Sequence, residues 1–110
     1  MRPGERRAGE NEALYREVNE RVRDLNETFE IEDERVEFVC ECGRLECRER
    51  ISLTLAEYER LRGDPHRFAV VPGHEMTDVE RVVAEHERYA VVEKDEGEPA
   101  KLAEREDPRS

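Results

Sequence analysis

The 110-residue chain has no tryptophan, and aromatic residues make up only 5% of it. Apolar side chains of all kinds reach 35%, while charged ones reach 45%, against about 25% in an average globular protein. Little is available to bury, so the chain allows one domain at most. No apolar run is long enough to cross a bilayer, and residues 1–30 lack the apolar core of a signal peptide. A cytoplasmic protein that neither spans nor binds a membrane is expected. Basic character is also lacking: 19 cations face 30 acidic residues, and the net charge is −11. No segment forms a basic patch to neutralise phosphates, so nucleic acid is not an expected partner, and an acidic surface is repelled by anionic lipid. Serine occurs only as Ser52 and Ser110. There is no phosphate-binding glycine loop, no G-x-S-x-G elbow and no dinucleotide fingerprint. These absences leave no small-molecule substrate indicated and argue against an enzyme.

Cysteine is scarce too, but all three copies fall together in Cys40-Glu41-Cys42-Gly43-Arg44-Leu45-Glu46-Cys47. An odd number in a chain of this kind argues against a disulfide framework. Three thiolates crowded at C-x-C-x4-C spacing repel one another and call for a cation. Zn2+, tetrahedral with sulfur at about 2.3 Å, is the default, one per chain. Gly43 suits such a loop, because it can take positive φ and turn amide N–H groups toward sulfur.

A closed site needs a fourth ligand. His74 is the best candidate, because the stiff Pro72-Gly73 turn places it at a defined position; His66, in the turn after Asp64-Pro65, is the runner-up. His86 falls on the apolar side of a predicted helix and is read as a core histidine. The segment His74-Glu75-Met76-Thr77-Asp78 approaches the H-E-x-x-H metalloprotease motif, but Asp78 stands where the second histidine belongs. Asp78 is better read as an acid in the first turn of a helix.

The remaining residues supply a small α+β domain. Residues 1–9 read as a flexible N-terminus. Leu14, Val18, Val22, Leu25 and Phe29 recur at helical spacing and predict an amphipathic helix over 10–29, which packs either on its own domain or on a partner helix. Residues 30–35 form an acidic connector. Val36, Phe38 and Cys40 alternate as in a strand, and a second strand covers 49–53. Thr54 with Glu57 forms a capping box that opens helix 55–62, closed by Gly63 and Pro65. A strand over 68–71 ends at Pro72-Gly73. Thr77 with Glu80 suggests another capping box and a helix over 78–87, and a last strand covers 89–92. Beyond residue 93 only Leu102 is a large aliphatic, so 94–110 reads as a disordered acidic tail. The expected architecture is one zinc-stabilised domain over 10–93, with the long amphipathic helix, two shorter helices and about four short strands.

The blocks Phe38-Val39-Cys40-Glu41-Cys42-Gly43, Cys47, Leu53-Thr54-Leu55-Ala56-Glu57-Tyr58 and Phe68 through Pro72-Gly73-His74-Glu75 occur in an order that resembles a family of short uncharacterised bacterial proteins. The resemblance spans roughly residues 10–93 and implies no known activity. It supports treating Cys40, Cys42, Cys47 and His74 as one unit. The expected function is a small zinc protein with a structural Cys3His site, serving as an interaction or regulatory module. Its contacts would run through helix 10–29, to another protein or to a second copy. A zinc-thiolate redox or metal sensor is the alternative, with unmetallated redox thiols or an enzyme site near Glu41, Glu75 and the metal behind it.

Overall fold

The computed structural model describes residues 2–28, 34–44 and 46–109. They form a small α+β domain in the order α1 (Pro3–Thr28), β1 (Arg35–Val39), β2 (Arg50–Thr54), α2 (Leu55–Leu61), β3 (Arg67–Val70), β4 (Glu80–Glu85), β5 (Ala90–Lys94) and α3 (Glu98–Arg105). No helix among the described residues is long and apolar enough to cross a membrane.

β1 and β2 pair antiparallel, from Arg35 opposite Thr54 to Val39 opposite Arg50. Val36, Phe38, Ile51 and Leu53 lie on the buried side of this hairpin against Leu55, Tyr58 and Leu61 of α2. Phe38 and Tyr58 stack with ring centroids 4.5 Å apart. The Thr54–Glu57 capping box opens α2 as expected, with both reciprocal hydrogen bonds formed. The second sheet has the order β3-β5-β4, all antiparallel. Phe68, Val70, Ala90 and Val92 on it share a core with Cys40, Cys42 and Ala103.

The cysteine segment joins the two sheets. Glu41 donates its N–H to Ala69 O (2.9 Å) and accepts the Ala69 N–H on its side chain (2.9 Å). Cys40 and Glu41 thereby occupy the free edge of β3.

Four expectations are corrected. Within the predicted helix 78–87, residues Glu80–Glu85 form strand β4. Val79, Val82 and Val83 are β-branched, and the residues from Glu80 to Glu85 alternate between the sheet's inner and outer sides, which suits a strand paired to β5. Glu80 is not a capping residue: its carboxylate accepts from Met76 N (3.0 Å) and from Lys94 Nζ (2.8 Å). His86, expected in a core, is exposed and stacks on Tyr89. The segments expected to be unstructured, 1–9 and 94–110, contribute helix from Pro3 onward and all of α3. Ala100, Leu102 and Ala103 of α3 are buried, and Gly9 admits Leu102 so closely that a Cβ there would lie 2.6 Å from it. Small residues on both helices supply an interface that a count of large aliphatics overlooks.

The fourth correction concerns α1, for which the first of the two expected packings, the apolar stripe on its own domain, does not hold. Leu14, Val18 and Leu25 do not face the domain; they are 54, 41 and 64% exposed. Phe29 lies outside the described residues. The buried face of α1 carries Ala8, Glu12, Ala13, Arg16 and Asn19 instead. The physical reason is that Glu12, Arg16 and Asn19 each find a polar partner in the domain, although Glu12 Oε2 and Arg16 Nε make no hydrogen bond. Asn19 exchanges hydrogen bonds with the main chain of Val39, donating to its O (2.9 Å) and accepting from its N (2.8 Å), and also donates to Glu41 (2.9 Å). Arg16 lies 3.7 Å over the Phe68 ring, donates to Pro65 O and sits 3.6 Å from Glu41. Lys94 bridges Glu12 and Glu80 in the interior.

Two carboxylates on one ammonium leave the Glu12 proton hard to remove. Burial first, then the Glu80 charge, outweigh the attraction of Lys94 and push Glu12 from 4.5 up to about 8. The unfolded chain releases this proton near 4.5 and the folded chain holds it to about 8, so this group's contribution to stability falls as pH rises between those values. Urea unfolding of wild type and Glu12→Gln should show the variant gaining on wild type from about pH 5 to about pH 8. A difference that stays constant across that range would refute the assignment.

Candidate metal centre

The four sequence-predicted ligands converge. Cys40 follows β1, Cys42 and Cys47 lie on the loop before β2, and His74 follows the Pro72-Gly73 turn beyond β3. Their ligating atoms all lie within 4.8 Å of one another. His74 Nδ1 is 3.6 Å from Cys40 Sγ and 3.8 Å from Cys47 Sγ. A tetrahedral ion with ordinary zinc–sulfur and zinc–nitrogen bonds separates such a pair by about 3.6 Å. The donor set therefore fits a metal ion at the centre of the group.

Local structure explains the convergence. The Cys40 N–H donates to Glu49 O (3.1 Å) across the loop mouth, and the Cys47 N–H donates to Arg44 O (3.1 Å). Gly43 has φ +77°, and a Cβ there would lie 2.6 Å from Ala8 O and 2.8 Å from Glu12 Cγ. The loop can approach α1 so closely only because this residue has no side chain. Asn11 and Tyr15 on α1 then donate to Gly43 O (3.2 Å) and Arg44 O (3.3 Å). On the opposite side, Gly73 at φ +93° turns the chain, and the His74 N–H donates to Val71 O (2.9 Å).

Cys40 and Cys42 are buried and Cys47 is half-buried. The Val71 N–H donates to Cys40 Sγ (3.2 Å), and the Arg44 N–H points to the Cys42 sulfur. Burial nevertheless pushes both thiols up against these donors, and the crowding of the three sulfurs adds to the rise at Cys40. A divalent cation at the centre would reverse that preference and hold the sulfurs as thiolates.

The partner of the histidine is Glu49. Its carboxylate lies 3.0 Å from His74 Nε2, the nitrogen turned away from the sulfurs. This orients the ring and leaves Nδ1 facing the sulfurs, free to ligate a metal. Glu75, the sequence-based candidate for that role, does not take it. Glu49 stands only two residues beyond Cys47, but nothing in a charge-rich stretch distinguishes it from its neighbours.

His66 lies elsewhere, with Nε2 2.6 Å from Glu104 and Nδ1 3.3 Å from Asp64, where it ties β3 to α3. Glu41 is fully buried, and Asn19, Arg16 and the Ala69 N–H hold its carboxylate. It is a structural brace with no free oxygen facing a substrate. No protein-family model, curated protein or solved structure matches the chain.

Proposed function

We propose that the protein binds one Zn2+ through Cys40, Cys42, Cys47 and His74, and that this zinc is structural in a small module for protein interaction or regulation. The observation that carries the reading is the convergence of three sulfurs and His74 Nδ1, with Nε2 on a carboxylate. Three thiolates and an imidazole complete a tetrahedron and give the site a net charge near −1, a poor arrangement for Lewis-acid catalysis. Reduced cysteines of this kind belong to a reducing compartment such as the cytoplasm. Native mass spectrometry of protein purified without added metal should show one zinc per chain. Iron in its place, or an apoprotein that takes up no zinc on titration, would overturn the assignment.

A second reading has one observation in its favour. Cys47 is half-buried and the His74 side chain is 22% exposed, so this side of the centre is open to oxidants. In a zinc-thiolate sensor, hydrogen peroxide would oxidise two thiolates to a disulfide, itself reduced to water, and the metal would leave. Zinc release at low peroxide, reversed by a thiol reductant, separates the sensor from a purely structural site.

A further inference from the structure

α1 is an inverted amphipathic helix: its polar face is locked into the domain, and Leu14, Val18 and Leu25 face outward while Val22 packs at the edge of the core. The inversion is fixed by buried, partnered groups, so α1 cannot roll to hide Leu14, Val18 and Leu25 without stripping Arg16, Asn19 and Glu12 of theirs. The exposed residues Leu14, Val18, Arg21 and Leu25 follow a heptad seam, with half-buried Val22 beside it. Along the opposite flank run Glu10, Glu17 and Asp24. Glu10 and Asp24 meet Arg6 (3.5 Å) and Arg23 (3.4 Å) in surface contacts, which bind weakly.

These charges decide between occupants. Paired antiparallel with a second copy, in the register that mates Leu14 with Leu25, the helix sets Glu17 against Asp24 of the other chain. Paired in parallel, Arg21 meets Arg21. Like charges across a seam disfavour both arrangements, and the net charge of −11 adds to the repulsion. An anionic membrane is disfavoured on the same ground.

We infer that the outer face of α1 is a docking site for an amphipathic helix of another protein, apolar along its seam and flanked by lysine or arginine. The inference rests on reading the domain as an interaction module but not on which metal it holds. Such a helix covers the leucines and neutralises the acidic row, and complementary charge sets orientation and speeds encounter.

The test uses the metal-loaded full chain and two labelled three-heptad peptides with leucine at the seam positions. One carries lysine at the flanking positions and the other glutamate. Fluorescence anisotropy should show the lysine peptide binding about tenfold or more tighter, with affinity falling as salt is added. Leu14→Ser with Leu25→Ser should weaken it about 30-fold. Both residues are exposed, so circular dichroism and metal content should not change. Glu17→Lys with Asp24→Lys should reverse the peptide preference. Equal binding of the two peptides, or an affinity indifferent to the leucines, overturns the proposal. So does a dimer in sedimentation that the leucine variant splits, or binding to anionic vesicles that the same variant abolishes. Metal content, read separately, distinguishes failure of the zinc assignment from failure of the docking site.

Discussion

Cys42→Ser is expected to remove the metal and most of the tertiary structure with it. Cys42 is 1% exposed and belongs to the core formed by Phe68, Val70, Ala90 and Val92, so the centre is embedded in the packing. Structural zinc sites contribute on the order of 10–16 kcal/mol of apparent binding energy, and a whole domain is stable by only about 5–15 kcal/mol. Losing one thiolate therefore removes a large share of what keeps this small core folded. The near-UV signal of Tyr58 and Tyr89 should collapse. The far-UV helical signal should fall by less, because α1 spans 26 residues and retains some helix alone. Its contacts at Gly43, Arg44 and Val39 would be gone, however. A chelator should reproduce the effect on wild type. A Cys42→Ser protein with unchanged melting and unchanged near-UV signal would show that the cysteines are incidental to the fold.

His74→Ala should lower zinc affinity by several orders of magnitude, while His66→Ala should leave it within a few-fold. The contrast comes from position: His74 Nδ1 is 3.6 Å from Cys40 Sγ, whereas His66 is engaged by Glu104 and Asp64. Glu49→Gln should fall between them, costing about 10- to 100-fold, because it weakens the acceptor that orients the imidazole without removing a ligand. Competition titration against a chromophoric chelator measures all three. Equal losses for His74→Ala and His66→Ala would place the fourth ligand elsewhere.

The convergence of the four candidate donors was legible because their chemistry is concentrated: three thiols in eight residues, and one histidine behind a proline-glycine turn. The β1–β2 hairpin and α2 were legible because Val36, Phe38, Ile51 and Leu53 alternate and Thr54 caps the helix after them. Each of these is a local signal. β4 was misread because Val79, Val82 and Val83 fit a helical face as well as a strand, and pairing with β5 decided the matter. The orientation of α1 was illegible for a deeper reason. Periodicity assumes that the apolar face is the buried one, and here Arg16, Asn19 and Glu12 find partners 20 to 82 residues away in the chain. α3 was missed because alanine and glycine supply its contact surface.

The order of the donors along the chain has a kinetic consequence. Cys40, Cys42 and Cys47 belong to one short segment, so a chain with neither sheet formed already carries three of the four candidate donors together. His74 arrives from 27 residues beyond Cys47, and it reaches the sulfurs only when β3 and the turn after it are in place. A metal captured early by the three thiols would tether the nascent hairpin, and the imidazole would complete its shell only when the second sheet docks. Closing that loop carries an entropic cost that grows only with the logarithm of its length. Any grip of the unfolded chain on the ion would also subtract from the stabilisation that a completed site delivers. The holoprotein would therefore be less stable than the affinity of its finished centre alone implies.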